Sequence, residues 1–243
     1  MNPDWLIPDW PAPPNVRAFV TTRAGGVSEG TYASMNLGMR SGDDPANVAR
    51  NRLIVGEHLP RAPGWLAQCH GVDVLDLDRE SAADRTADAA VTTKAGRVCG
   101  VLTADCLPVL LCNATGTRVG IAHAGWRGMA AGVIENTVGA LRADRGDVIA
   151  WLGPAIGPDA FEVGPEVRGA FMAVDAAAGS AFRPHREGKY LADLYALGRQ
   201  RLARAGVTRV FGAGFCTMSD SQRFFSYRRE KQGGRMGSFI WVA

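Results

Sequence analysis

Short apolar runs alternate along the chain with amphipathic stretches, and each period predicts an element. "VRAFVTT", residues 16–22, reads as a strand, and "TRAGGVSEGTY" after it as a glycine-rich loop. "NVARNRLIVGEHL", residues 47–59, has helical spacing and follows Asp44-Pro45, a helix-start signal. "GWLAQCH" and "VDVLDLD" predict two strands around a tight turn at Gly71. Three apolar runs then come in close succession: "VCGVLTA", "CLPVLLCN" and "RVGIAHA". A helix is expected over residues 127–142, with Val133, Ile134, Val138 and Leu141 on one face. "VIAWLG" predicts another strand, then "PEVRGAFMAV" and "YLADLYALGRQRLARAG" predict helices, the second stopping at Gly206. "VTRVFGAG" and "GSFIWV" are expected to close the sheet. Strands and helices mixed without a low-complexity linker predict a single α/β or α+β domain over residues 1–243.

Composition narrows the class. The 243 residues are 47% hydrophobic and 21% charged, ordinary values for a globular chain with a sizeable core. No stretch approaches the roughly 20 apolar residues of a membrane span. The opening "MNPDWLIPDWPAPPN" lacks the basic start and apolar middle of a secretory signal and reads as an ordered, aromatic-rich lead-in rather than a targeting segment, while the chain's cysteines, expected to be free thiols, put the expected location in a reducing cytoplasm. A net charge of +3, unclustered, argues against a nucleic-acid partner but leaves room for a small anion held by one or two arginines. Cys69, Cys99, Cys106, Cys112 and Cys216 are odd in number and contain no CxxC pair, which predicts free thiols, most of them core filler.

Several familiar signatures are absent. The chain has no GxxxxGK[ST], HExxH or GxSxG, and "GAGFCT" at 212–217 lacks the third glycine of a dinucleotide fingerprint. P-loop enzymes and nucleotide-cofactor dehydrogenases are thereby excluded. Of the four histidines, His58 on the expected helix reads as a surface residue, and His185 in "FRPHREGKY" as a loop residue facing solvent. His70 in "QCHG" and His123 in "AHAG" instead end apolar runs beside a glycine that lets another group come close. Taken singly, each fits a core histidine bonded to a backbone carbonyl, and Cys106 fits a small core hydrophobe. Asp105 changes the picture, because an acid beside that thiol in an apolar segment is costly to bury without a cation or metal nearby. Together His70, Cys106 and His123 suit Zn²⁺, with a fourth position open to water or substrate as in catalytic sites. Their separations of 36 and 17 residues imply ligands from different strands, not a zinc finger.

These residues also carry a resemblance. "ADCLPVLL", "AHAGWRG", "LGPAIGPDAFEVGPEV", "FFSYRREKQGGRMGSFIWV" and the N-terminal "VRAFVTTRAGGVSEGTYASMNLG" closely resemble the YfiH-like proteins, also called the laccase-domain or multicopper polyphenol oxidase family. The likeness spans almost the whole chain. Ala104 stands where many members have Gly, and Cys69, a second thiol, precedes His70 where an aliphatic residue is usual. The resemblance implies a single domain of stacked α/β/β/α layers, related to the fold of bacterial toxin deamidases. It also implies one catalytic zinc at His70, Cys106 and His123. Characterised relatives phosphorolyse adenosine, inosine, guanosine and methylthioadenosine, deaminate adenosine, and have been linked to peptidoglycan precursor quality control.

Such reactions need further groups. Deamination needs a carboxylate to carry protons, and Asp105 and Glu162 are the candidates. Phosphorolysis needs cationic donors for phosphate, for which Arg127, Arg228, Arg229 and Arg235 are expected. Trp126 and Tyr227 are expected to stack on a purine. Two rival readings use the same residues. One is a mononuclear copper phenol oxidase, since Cu²⁺ outcompetes Zn²⁺ at most nitrogen and sulfur sites. The other is a metal-free hydrolase with Cys106 as nucleophile and His123 as base. A nucleoside-sensing module would leave Asp105, Cys106 and both strand-end histidines without a purpose. Purine nucleosides and phosphate are the expected partners of a monomer or weak dimer.

Overall fold

The computed structural model describes residues 2, 4–79 and 85–243. Strand β1 (Val16–Val20) and helix α1 (Pro45–Gly56) come first. A run of strands follows: β2 (Val74–Asp76), β3 (Ala89–Thr92), β4 (Val98–Thr103), β5 (Leu107–Asn113) and β6 (Val119–Ala124). Helices α2 (Trp126–Ala131) and α3 (Val133–Leu141) lead to β7 (Val148–Leu152). Next come β8 (Glu162–Val163), α4 (Pro165–Met172), β9 (Phe182–Pro184) and β10 (Tyr190–Ala192). Helix α5 (Leu194–Arg204), β11 (Arg209–Gly212) and β12 (Met236–Val242) complete the order.

Two sheets lie face to face. The larger has the order β11-β7-β5-β6-β3-β2 and the smaller β1-β12-β4, while β8, β10 and β9 form a separate small antiparallel sheet. Alternation along each strand explains the unbroken apolar runs. On β5, Leu107, Val109 and Leu111 face the helices, whereas Leu110 and Cys112 face the smaller sheet. On β12, Ile240 and Val242 face the larger sheet, whereas Phe239 and Trp241 meet Val55 of α1 on the other side. A strand buried on both faces loses the polar half of its period-two pattern. The mixed α/β layers therefore run helix, sheet, sheet, helix, as expected.

The sequence misplaced several elements, each for a local reason. Residues 65–70 form no strand, and only Gly64 bridges Cys99. The Gln68 side chain instead exchanges two hydrogen bonds with the Leu102 backbone, the Cys69 and His70 N–H groups donate to the Asp88 carboxylate, and His70 has φ 63, which ends any extended ladder. "VDVLDLD" contributes only β2, which runs parallel to β3, so no hairpin turns at Gly71. The long helix breaks at Gly132, whose φ of 109 is left-handed and separates α2 from α3. Tyr190–Ala192 is a strand, and α5 starts only after Asp193, whose carboxylate accepts from the Tyr195 and Ala196 N–H groups. The last two strands fall in different sheets, β11 parallel beside β7 and β12 between β1 and β4.

All five cysteines are free thiols. Cys99 and Cys112 are core residues, and burial pushes the Cys112 thiol up to about 12, so neither is reactive near neutrality. No helix among the described residues is long and apolar enough to cross a membrane.

Candidate functional site

The link from β4 to β5 crosses from the smaller sheet to the larger in three residues, Ala104, Asp105 and Cys106. Asp105 has φ 83, a left-handed conformation that aspartate tolerates better than most residues. Its carboxylate accepts from the Thr217 hydroxyl at 2.6 Å and from the Arg228 N–H at 2.6 Å. Its carbonyl accepts from the Ile156 N–H at 3.0 Å. The turn is thus held from three sides, and it delivers Cys106 to the open edge of the layers.

His123 arrives from the neighbouring strand, near the end of β6 and paired with Pro108 of β5. His70 comes from the irregular strip before β2. The ligand atoms of His70, Cys106 and His123 all lie within 4.8 Å of one another, and Cys106 Sγ is 3.8 Å from His70 Nε2. Zinc bonds of about 2.0–2.1 Å to nitrogen and about 2.3 Å to sulfur put donors about 3.3–3.6 Å apart in a tetrahedron, so small side-chain adjustments suffice to fit one ion. Gly125 must be small for this packing. A Cβ there would sit 2.8 Å from His70 Cδ2 and 3.0 Å from Cys106 Sγ. Gly125→Ala is expected to lower metal content per chain with little change in the far-ultraviolet circular dichroism, because it displaces the donors and not the core.

One residue organises two of the three ligands, and it is absent from the sequence-based set. Asp88 is fully buried just before β3. Its Oδ1 accepts from His123 Nδ1–H at 2.7 Å, which leaves Nε2 as the ring's donor to a metal. The same carboxylate accepts from the N–H groups of Cys69 at 3.1 Å, His70 at 2.9 Å and Gly71 at 2.7 Å. Successive N–H groups around a left-handed residue form an anion-binding nest, and here the anion belongs to the chain itself. Cys69 Sγ–H also donates to Asp88 Oδ2 at 3.3 Å, so its sulfur is turned from the metal donors and Cys106 is the sulfur ligand the geometry offers.

Charge in this cluster is strongly coupled. Burial alone would raise the Asp88 carboxyl, but His123 and the nest N–H groups hold it well below the usual carboxylate range. Burial opposes ionisation of Cys106 too, yet His123 and His70 bring its thiol down to about 6. Conversely, burial disfavours the His123 cation, while Cys106 and Asp88 raise its pKa to about 9. Without a metal, the pair is a thiolate beside an imidazolium. The depressed Asp88 pKa has a consequence for stability. Its contribution is complete above about pH 4, the unfolded value, and is lost as pH falls through the folded value. Urea unfolding of Asp88→Asn is expected to show a flatter loss of stability in acid than the parent protein.

The cluster lines a cleft of about 1020 Å³. Asp105, Trp126, Arg127, Tyr227, Arg228 and Arg235 all line it. Arg127 lies over the Trp126 ring at 4.5 Å, and Arg228 over Phe161 at 5.4 Å with its Nη1 donating to the Glu162 carbonyl at 2.9 Å. Arg235 donates from Nη1 to the carbonyls of Gly233 and Gly234, and its guanidinium lies 5.7 Å over the half-exposed Tyr227 ring.

Two expected residues are elsewhere. Glu162 does not line the cleft, because Arg186 donates to its carboxylate at 2.9 Å and His185 lies 3.4 Å from it. Arg229 is a staple, with donors to the carbonyls of Thr217, Met218 and Phe224 that fold the 216–230 loop. His185 therefore faces a carboxylate and not solvent alone, and His58 is half-buried with its ring edge-on to Trp5.

Layered sheets opening on a His–Cys–His cluster in an arginine-lined cleft define a mixed α/β protein with a three-donor centre. The chain belongs to the family described as multi-copper polyphenol oxidoreductase laccase, the YfiH-like proteins, which residues 17–243 match. It is 55% identical to purine nucleoside phosphorylase YfiH of Escherichia coli K12, over 98% of both chains. It is 53% identical to a purine nucleoside phosphorylase of Pseudomonas aeruginosa, again over 98% of both. Among solved structures, a Neisseria meningitidis protein of 48% identity superposes with a TM-score of 0.95, covering 98% of this chain and 99% of that one. YlmD from Geobacillus stearothermophilus, 31% identical, gives 0.86 over 94% and 92%.

Proposed function

We propose that the chain, acting as one domain over residues 1–243, is a zinc-dependent purine nucleoside phosphorylase that works in the cytoplasm as a monomer or weak dimer. The observation that carries this reading is the convergence of the His70, Cys106 and His123 donors with Arg127, Arg228 and Arg235 in one cleft. Relatives named as purine nucleoside phosphorylases support it. Adenosine, inosine, guanosine and S-methyl-5′-thioadenosine are the proposed substrates. A phosphate oxygen bonds to C1′ of the sugar, the bond from C1′ to the purine breaks with its electron pair going to the base, and the base takes a proton.

Zinc, when bound by His70, Cys106 and His123, would supply a Lewis acid beside the reacting groups. Arg127 and Arg235 hold the phosphate, and Trp126 or Tyr227 stacks on the purine. Asp105, not Glu162, is the carboxylate within reach of a ligand in the cleft, and it carries the proton in the proposed adenosine deamination. Peptidoglycan precursor editing is retained as a further activity on the strength of the resemblance. Copper at the same donors remains the alternative metal, but four histidines in the chain, two of them outside the cluster, do not supply a multinuclear copper centre. A screen of nucleosides with phosphate, following free base, ribose 1-phosphate and ammonia by chromatography, tests the reaction class. Release of neither base nor ammonia from any purine nucleoside would reject it.

The second reading is a metal-free thiol hydrolase, favoured by the Asp88–His123–Cys106 alignment and the lowered Cys106 pKa. Iodoacetamide labelling mapped by mass spectrometry separates the two. Metal-free protein is expected to be alkylated at Cys106 with a rate rising through about pH 6, the value of its thiol. As purified, the thiol is expected to be protected until chelator is added. Immediate labelling of active, untreated protein at Cys106 would favour the hydrolase.

A further inference from the structure

Strand β1 pairs with β12 as far as Val20, and just beyond it Thr21 exchanges two hydrogen bonds with the Gly237 backbone. Two residues before Gly237 on the same edge comes Arg235, which lines the cleft. Its N–H and C=O need partners once β1 has ended. The chain comes back to supply them. After the glycine-rich loop, Asn36 Oδ1 accepts from the Arg235 N–H at 2.9 Å, and the Leu37 N–H donates to the Arg235 carbonyl at 3.2 Å. A side-chain amide thus stands where a strand would have continued, against one arginine of the cleft wall.

Asn36 is fully buried, and both ends of its amide are doubly used. Oδ1 also accepts from the Gly38 N–H at 2.9 Å, while Nδ2 donates to Ser41 Oγ and to Asp43 Oδ2, each at 2.8 Å. Two N–H groups on one side and a carboxylate on the other fix which end of the amide is which. Aspartate would have no donor there and would face the Asp43 carboxylate; leucine would keep the volume and make none of the bonds. The network has a firm base. Asp43 Oδ2 accepts from the Ser28 hydroxyl at 2.6 Å, and the buried Asn51 of α1 donates to the Asn36 carbonyl at 2.9 Å. Gly38 closes on the arginine's stem, since a Cβ there would lie 2.9 Å from Arg235 Cγ. Backbone and stem of Arg235 are therefore set from the N-terminal loop, and its Nη1 by the carbonyls of Gly233 and Gly234.

We propose that Asn36 is a positioning residue for the phosphate: it ties Arg235 to the loop between β1 and α1 and so keeps the guanidinium at the cleft wall. This gives the N-terminal motif "SMNLG" a part in the site although its amide touches no ligand. The proposal rests on the reading above in which Arg235 holds the phosphate.

Calorimetric titration of inorganic phosphate into the protein as purified, beside inosine phosphorolysis at varied phosphate and varied inosine, tests it. The variants are Asn36→Leu, Gly38→Ala, Arg235→Ala and the double variant Asn36→Leu/Arg235→Ala. In Asn36→Leu phosphate affinity is expected to fall about tenfold, the worth of one charge-assisted contact. KM for phosphate should rise by the same factor, with KM for inosine and the zinc content unchanged. Gly38→Ala presses on the same stem without removing the amide and is expected to move phosphate affinity in the same direction, so a failure of Asn36→Leu to fold leaves the test intact. The double variant should bind phosphate as Arg235→Ala does, because Asn36 acts through that side chain. Losses that add in the double variant, equal rises in both KM values, or phosphate affinity unchanged in the folded Asn36→Leu and Gly38→Ala proteins would each overturn the proposal. Turnover by the parent reports separately on the phosphorylase reading. No release of base, with phosphate binding and its dependence on Asn36 intact, would reject that reading and leave Asn36 in its role. A parent that neither binds phosphate nor turns over inosine would reject both.

Discussion

His123→Ala is expected to remain folded, to hold no stoichiometric zinc and to release no base from inosine above background. The fold should survive because the loss is local. Removing the ring deprives Asp88 of one partner, at a cost of about 1–3 kcal/mol, against a stability of roughly 5–15 kcal/mol for a chain of this kind. Three nest N–H groups still bind the carboxylate. The site, in contrast, loses one of the three donors found among the described residues, and the remaining pair belongs to different segments, His70 in the irregular strip and Cys106 in the inter-sheet turn. Metal analysis by mass spectrometry and a chromatographic assay for hypoxanthine, run on one preparation, provide the check. Full turnover in a metal-free variant would remove the metal from the account.

Asp88→Asn should produce the second largest effect while leaving every ligand in place. An amide has one acceptor oxygen where the carboxylate uses two, and its NH₂ would face the N–H donors of the nest. His70 then loses the contact that fixes its left-handed backbone, and His123 loses the acceptor that fixes its tautomer. Zinc affinity is expected to fall about 10–100-fold, the usual cost of removing such an outer partner. Competition with a chromophoric chelator measures it. Cys69→Ala removes only a thiol donor from Asp88 and is the control, with affinity expected near that of the parent. Unchanged affinity in Asp88→Asn would mean that the ligands are placed by their own segments.

Much of this centre was legible from the sequence. Cys106 and His123 stand beside turn residues where β5 begins and β6 ends, whereas the run that ends in His70 forms no strand, and the structure brings the three together. Asp105 stands out because an acid in an apolar run needs a partner. The same argument applies to Asp88 in "TADAAVTT", which also leads an acid into a buried strand. It carries a weaker signal because neither a thiol nor an imidazole stands next to it in the sequence. The arginines could not be sorted by sequence, since Arg228 and Arg229 are neighbours with opposite fates, one turned to the cleft and one bonded to three carbonyls. Which sheet a strand joins was equally hidden, because the partners of β11 and β12, β7 for the one and β1 and β4 for the other, lie far away along the chain.

X-ray absorption at the zinc edge of protein purified without added metal, paired with metal quantification, reaches the central claim most directly. One zinc per chain with one sulfur and two imidazole nitrogens from the protein, reduced in parallel with inosine phosphorolysis in Cys106→Ser, is the predicted result. Undiminished phosphorolysis from protein with no bound metal, or a bound ion with no sulfur neighbour, would contradict it.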